Sequence, residues 1–283
     1  MMKSTVIRIA YIGVLLIGGQ TADAAMMYGT SRFNSETTGT SWLYTIDPLT
    51  GATTQIGDTG FAINGLDYHN GTLYAIERMG GSLLTIDTTT GAGTAIAPLV
   101  GPNSTDPRTL AINAAGDAYA WTGSSMSDLV RLDLDTGDWS IVGDSGIGPT
   151  ASHGIAFLGN TLYLVNFTGE VYSVDTVSGA ATLLGDFTSI DGNYAHHGDG
   201  NPDDGLYYGL RDITGDGPNN VLNSLNLTTQ TLANTVALDG PIHAVAFVDS
   251  AVPEPSTLAL LSMGGLGMCG YRWRKRRKPR SVT

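Results

Sequence analysis

The sequence predicts an all-β fold, a closed ring of four-stranded antiparallel units of the β-propeller type, and three observations carry that prediction. A strand followed by Asp, two residues and Thr-Gly recurs along the chain. Each recurrence holds four short runs of period-two alternation. The first and last runs of the repeating region also complement each other.

The repeated phrase reads Leu43-Tyr44-Thr45-Ile46-Asp47 with Thr50-Gly51, Leu84-Thr85-Ile86-Asp87 with Thr90-Gly91, and Val130-Arg131-Leu132-Asp133 with Thr136-Gly137. Val171 to Asp175 with Ser178-Gly179 follows, and Leu222 to Asn226 with Thr229-Gln230 is a worn fifth copy. Positions 47, 87, 133, 175 and 226 are spaced 40, 46, 42 and 51 residues apart, the length of one propeller blade. In the second copy the four runs are Gly65 to Tyr68, Thr72 to Ile76, Leu83 to Asp87 and Gly93 to Ile96, with Gly, Asn, Asp or Thr at every joint. No sustained helical period occurs between Met26 and Asp249. Asp47 and its equivalents are expected to accept backbone N–H groups within their turns, with Gly supplying positive φ.

A ring must join its ends. Met26-Met27-Tyr28-Gly29 matches the second run of a unit, and His243-Ala244-Val245-Ala246-Phe247 matches the first run, Gly154-Ile155-Ala156-Phe157. The C-terminal strand should therefore complete the first unit, giving five four-stranded blades over residues 25–250 with no unpaired edge at the splice.

The two ends carry addresses. Lys3 and Arg8 precede an apolar core from Ile9 to Ile17 and small residues ending Ala22-Asp23-Ala24, which reads as a signal peptide over 1–24 with cleavage after Ala24. At the other end Pro253 and Pro255 stop the folded domain and leave a linker over 251–256. Residues 257–271 are largely apolar and carry no charge, and seven Lys and Arg follow within the tail 272–283, the pattern of a membrane helix with a cytoplasmic basic stop. At about 15 to 18 residues with its flanks, that helix is at the lower limit for a span. Gly264, Gly265, Gly267 and Gly270 weaken it further. It reads as a temporary handle.

Between Ala25 and Glu254 there are five arginines, no lysine, no cysteine and 25 of the 26 acids, a net charge of about −20. Such a surface repels nucleic acid and anionic lipid. It attracts cations, and divalent ions would bridge it to an acidic polysaccharide; the plainer reading is that the acidity serves solubility. The lone Cys269 lies in the apolar tail, so the exported part folds without disulfides.

Val252-Pro253-Glu254-Pro255-Ser256, the Gly-rich apolar run and the terminal basic cluster together resemble the PEP-CTERM sorting signal of exported proteins in Gram-negative bacteria that make extracellular polysaccharide. The resemblance covers Val252 to about Arg280. It implies signal peptidase at one end and, at the other, a membrane-embedded exosortase with a Cys-His-Arg catalytic set that removes the tail near Pro253 to Pro255. The destination it implies is the cell surface, an outer layer or the extracellular matrix. The repeats resemble secreted bacterial propellers carrying Leu-Tyr-x-Ile-Asp-x-x-Thr-Gly, a weak and widely shared signature.

Two groups of residues are candidates for binding. Aligning the innermost runs places Asn64, Arg108, His153 and His243 at one position, two residues before Leu66, Leu110, Ile155 and Val245; in the fifth unit Asn193, Tyr194, His196 or His197 falls near it. These form a polar ring at the channel mouth, suited to a metal, an anion or a sugar acid, or simply to hydrogen-bonding loops and water. The second group is Asp212, Thr214, Asp216 and Asn220, alternate oxygen-bearing residues with Gly217, a pattern related to a calcium loop. Thr214 stands where an acid is usual and Asn223 where a Glu is usual, so a simple hairpin loop is the competing reading. Asp199, Asn201, Asp203 and Asp204 make a further acidic loop. No carboxylate pair, Ser-His-Asp set or spaced Cys/His cluster marks a catalytic centre. The expectation is a non-enzymatic binding or matrix module; the alternative is a lyase or hydrolase of an extracellular polymer using His153, His243 or Arg108.

Overall fold

The computed structural model describes residues 26–32, 39–78, 81–102, 107–122, 128–148, 153–166, 168–186, 193–212 and 219–248. The expected signal peptide, linker, apolar span and basic tail lie outside them. Among the described residues every regular element is a β-strand.

The chain opens with β1 (Met27–Ser31), β2 (Trp42–Ile46) and β3 (Thr53–Asp58). A second group is β4 (Ile63–His69), β5 (Thr72–Glu77), β6 (Ser82–Ile86) and β7 (Gly93–Pro98), and a third is β8 (Ala111–Ile112), β9 (Ala118–Trp121), β10 (Asp128–Leu132) and β11 (Trp139–Asp144). Then come β12 (His153–Leu158), β13 (Thr161–Asn166), β14 (Glu170–Val174) and β15 (Ala181–Asp186), and finally β16 (Asn193–Gly200), β17 (Tyr207–Asp212), β18 (Asn219–Asn226) and β19 (Thr231–Phe247). The second, third and fourth groups are four-stranded antiparallel sheets in sequential order. The remaining strands form one seven-stranded sheet, β16-β17-β18-β19-β1-β2-β3.

That long sheet is two units sharing one strand. The first part of β19, Thr231 to Ala237, pairs with β18, and its last part, Ile242 to Phe247, pairs with β1 through Met27↔Phe247 and Gly29↔Val245. The C-terminal strand thus completes the unit begun by β1, as the matching end sequences predict. The innermost strands β4, β8, β12, β16 and β19 touch in succession, and β19 returns to β4, which closes a cycle.

The core follows from this cycle. Instead of one central cluster there are five, each packed between neighbouring units: Leu43 with Leu73 and Leu84, Ile76 and Leu83 with Leu110 and Val130, Trp121 and Leu129 with Ile155 and Leu164, Val165 and Val171 with Tyr207 and Leu225, and Leu210 and Leu222 with Met27 and Val245. Period-two alternation on both faces of every inner strand supplies these seams, and each fully buried Leu, Ile or Phe contributes about 1.5 to 3 kcal/mol.

The repeated turns behave as their sequence requires. Asp47, Asp87, Asp133 and Asp175 each accept two backbone N–H bonds from residues two and three positions on, and Asn226 does the same with its amide oxygen. These bonds hold all four carboxyls below their usual range; at Asp47 the Thr50 hydroxyl contributes most. Gly51, Gly91, Gly137 and Gly179 take φ of 73 to 81°, and Gln230 takes φ of 56° in the worn copy.

Two devices escape a linear reading. In four units the pairing of the third and fourth strands slips by one residue at the same place, after Leu43, Leu83, Leu129 and Val171, and in the fifth unit it slips two residues later, after Ser224. Such bulges raise local twist and turn an outer strand away from its neighbour's edge. The glycine after the bulge then receives the next unit's turn: a Cβ on Gly57 would stand 2.0 Å from the Thr90 carbonyl oxygen, and one on Gly143 2.0 Å from that of Ser178. The second device is a pair of buried carboxylates at one position of the inner strands. Asp67 accepts the N–H of Ile112 in the next unit, and Asp199 accepts that of Phe247 at 2.7 Å, latching neighbouring inner strands.

Candidate functional site

The site begins where the innermost strands begin. Asn64 and His243 each occupy an irregular step, since β4 pairs Ile63 and Gly65 with adjacent partners while β19 pairs Ile242 and Ala244 in the same way. Both side chains are buried. Arg108 precedes β8, is exposed, and donates its backbone N–H to Trp121 at 2.9 Å. His153 is the first residue of β12, opposite Asn166; its side chain lies outside the described residues. The four sequence candidates therefore stand at equivalent starts of four inner strands.

In the irregular fifth unit the sequence left several residues open. His197 is buried there, and its ring meets that of His243 edge-on, with centroids 4.9 Å apart and planes at 70°. A bulge between Tyr194 and Gly198 explains why counting from the repeat could not choose it.

Three arginines missed by the sequence reading gather at the same end of the ring. The second strand of each unit ends where its inner strand starts, and Arg32, Arg78 and Arg211 stand at or just beyond the ends of β1, β5 and β17. Backbone bonds fix the first two: Arg32 N–H donates to Pro241 and Arg78 N–H to Ala62. Burial, and then the positive charges of Arg108 and Arg32, pull the Arg78 guanidinium below its usual range. Arg211 is only 9% exposed, and its Nε–H finds no hydrogen-bond partner among the described residues. The signal was available in the alignment of second strands, where Arg32 and Arg78 each follow the same Tyr by four residues.

The calcium candidate is divided. Asp212 ends β17 and Asn220 is the second residue of β18, so the segment does join two paired strands, but Thr214 and Asp216 lie outside the described residues, as do the side chains of Asp212 and Asn220. The neighbouring acidic loop is occupied by its own turn: Asn201 accepts Asp203 N–H, and Asp204 accepts Leu206 N–H and the Tyr208 hydroxyl. Burial and the Asp204 bond push the Tyr208 hydroxyl up to about 12. An acidic groove of about 490 Å³ lies elsewhere, lined by Asp117, Asp133, Asp135, Asp138 and Trp139, and Arg131 pairs with Asp117 across it. Among the described residues no three His, Cys, Asp or Glu side chains are grouped to hold a metal. No helix among them is long and apolar enough to cross a membrane.

Residues 251–277 match the family model of the PEP-CTERM protein-sorting motif. The tail is a PEP-CTERM sorting motif. It includes Val252, Pro253, Glu254 and Pro255, and it marks an exported protein handled by an exosortase. Comparison with curated protein sequences gives no match. Among solved structures, the nidogen/laminin complex is similar over 80% of this chain and 99% of that chain, at 10% identity and a TM-score of 0.53, a likeness of β-propeller fold. A calcium-binding protein, regucalcin, from Agrobacterium tumefaciens strain C58 aligns at 16% identity over 78% of this chain and 77% of that one, with a TM-score of 0.48. A protein of unknown function from Bacteroides caccae aligns at 14% identity over 76% and 73%, with a TM-score of 0.44.

Proposed function

We propose that this PEP-CTERM protein is a five-bladed propeller, exported and released from its tail by an exosortase, that works outside the cell as a binding module for extracellular polysaccharide. The observation that carries the reading is the joining of a sorting motif to a ring of β-sheet units in which Asn64, Arg108, His153 and His243 stand at equivalent starts of the inner strands. A strongly acidic exterior suits attachment through divalent cations, and the segment 212–220 is the place where calcium would be held. In this reading residues 1–24 leave with export, 257–271 form a helix that holds the precursor in the membrane, and Val252 to Pro255 are substrate for processing.

The test has two parts. In a host with an exosortase, replacing Pro253 and Glu254 by Ala should leave a larger, membrane-held precursor, and normal processing of that variant would remove the sorting step. Sedimentation with the producing cells' own polysaccharide, in calcium and in chelator, should show association; soluble protein under both conditions would remove the binding role.

A further inference from the structure

We infer that the ring mouth is an anion site for an acidic saccharide, with guanidinium groups of Arg32, Arg78, Arg108 and Arg211 taking its carboxylate and Asn64 and His243 taking hydroxyls. The inference deepens the binding reading above and rests on it.

Distribution of charge is the first reason. Between Ala25 and Glu254 acids outnumber arginines five to one, yet four of the five arginines occur at one end of the ring, contributed by the first, second, third and fifth units. Arg131 stands elsewhere, on β10 beside Asp117. Chance or solubility would scatter so few cations among so many carboxylates. Gathering them instead sets like charges against one another, and Arg78 feels both Arg108 and Arg32. Such a concentration of positive charge attracts an anion.

Burial is the second reason. Arg211 is withdrawn from solvent at the end of β17, with an Nε–H that no group among the described residues accepts. Leaving a buried charged donor unmet is costly, whereas a carboxylate accepts from Nε and a terminal nitrogen of one guanidinium together. The planar fork of arginine matches a carboxylate better than a lysine ammonium would, and the domain contains no lysine. Asn64 and His243, together with His197 against the His243 ring, bring further polar groups to the starts of the inner strands. A uronic acid presents the matching set, one carboxylate among several hydroxyls.

Direct contact at the mouth differs from cation bridging over the acidic exterior in one measurable respect. It needs no divalent ion. Isothermal titration of the full chain in neutral detergent is run with polygalacturonate and with dextran, each in EDTA and in calcium. Polygalacturonate should bind in EDTA and dextran should not. Arg78→Gln and Arg108→Gln, both outside the tightly packed core, should each weaken that binding about tenfold, the loss expected for one charge-assisted contact. Arg211→Gln should do the same, and Arg131→Gln should leave binding unchanged. Inorganic sulfate at millimolar concentration should compete weakly, since it offers the oxyanion without the hydroxyls. Binding that requires calcium, or that survives both Arg78→Gln and Arg108→Gln, would overturn the anion site and leave the binding module standing. Absence of binding to either polymer under both conditions would overturn the two together.

Discussion

Thr30 shows how a single side chain reports on this architecture. It lies in β1 with no exposure, and its hydroxyl finds no hydrogen-bond partner among the described residues. A buried hydroxyl left unmet costs more than an apolar group of the same shape. Thr30→Val should therefore raise stability by about 1 kcal/mol, measurable as a higher urea midpoint with an unchanged slope; a lower midpoint would mean that the hydroxyl is satisfied after all. The same logic separates Thr30 from Arg211, whose unmet donor is charged and stands at the mouth. Asp67 and Asp199 are the opposite case, since each buried carboxylate accepts one backbone N–H of its own strand and one of the next unit.

At the scale of elements, the seam between units is set by a turn of one unit landing on a glycine of its neighbour. Gly91 has φ of 81°, and a Cβ there would stand 2.7 Å from the Gly57 carbonyl carbon, so both its handedness and its size matter. Gly71 has φ of 85° with nothing within 4 Å of an added Cβ, so only handedness matters. Gly71→Ala should cost about 1 to 2 kcal/mol, and Gly91→Ala should cost a further 1 to 3 kcal/mol, roughly, for the displaced backbone. Equal denaturant midpoints for the two variants would show that the seam gives way freely. Much of this element-level order was legible in the sequence, because a turn closed by Asp and Gly repeats its chemistry within five residues. The bulge was not, since a one-residue slip leaves no mark until the partner strand is known. The Ile56-Gly57-Asp58, Val142-Gly143-Asp144 and Leu184-Gly185-Asp186 triplets did repeat visibly, but their role depends on a neighbouring unit whose contacting residues, Thr90, Ser178 and Gln230, are distant in the chain. The same limit applied to the mouth: Asn64, Arg108, His153 and His243 follow from aligning inner strands, whereas Arg32, Arg78 and Arg211 require knowing that second strands end where inner strands begin.

For the molecule as a whole, the decisive contact joins residues near the two ends of the described chain. Ile242, Ala244, Val245, Ala246 and Phe247 are at most 2% exposed and sit in the clusters on either side of β1. Phe247 also places its ring 4.8 Å from Tyr208 and gives its N–H to Asp199. Ending the chain at Gly240 would remove all of these at once. Three large apolar side chains at about 1.5 to 3 kcal/mol each already approach the 5 to 15 kcal/mol, roughly, that holds an ordinary domain together. Removal would also leave Asp199 without its cross-unit donor and expose two unpaired edges, β1 and β16, to other chains. The shortened protein should lose its cooperative thermal transition and aggregate at micromolar concentration, while a chain ending at Val248 should melt in one step. Adding a peptide of residues 241–248 to the shortened chain should restore protection of the β1 amides against hydrogen exchange. A cooperative melt of the chain ending at Gly240 would show that the other units hold without closure, and the ring would then owe its stability to its seams alone.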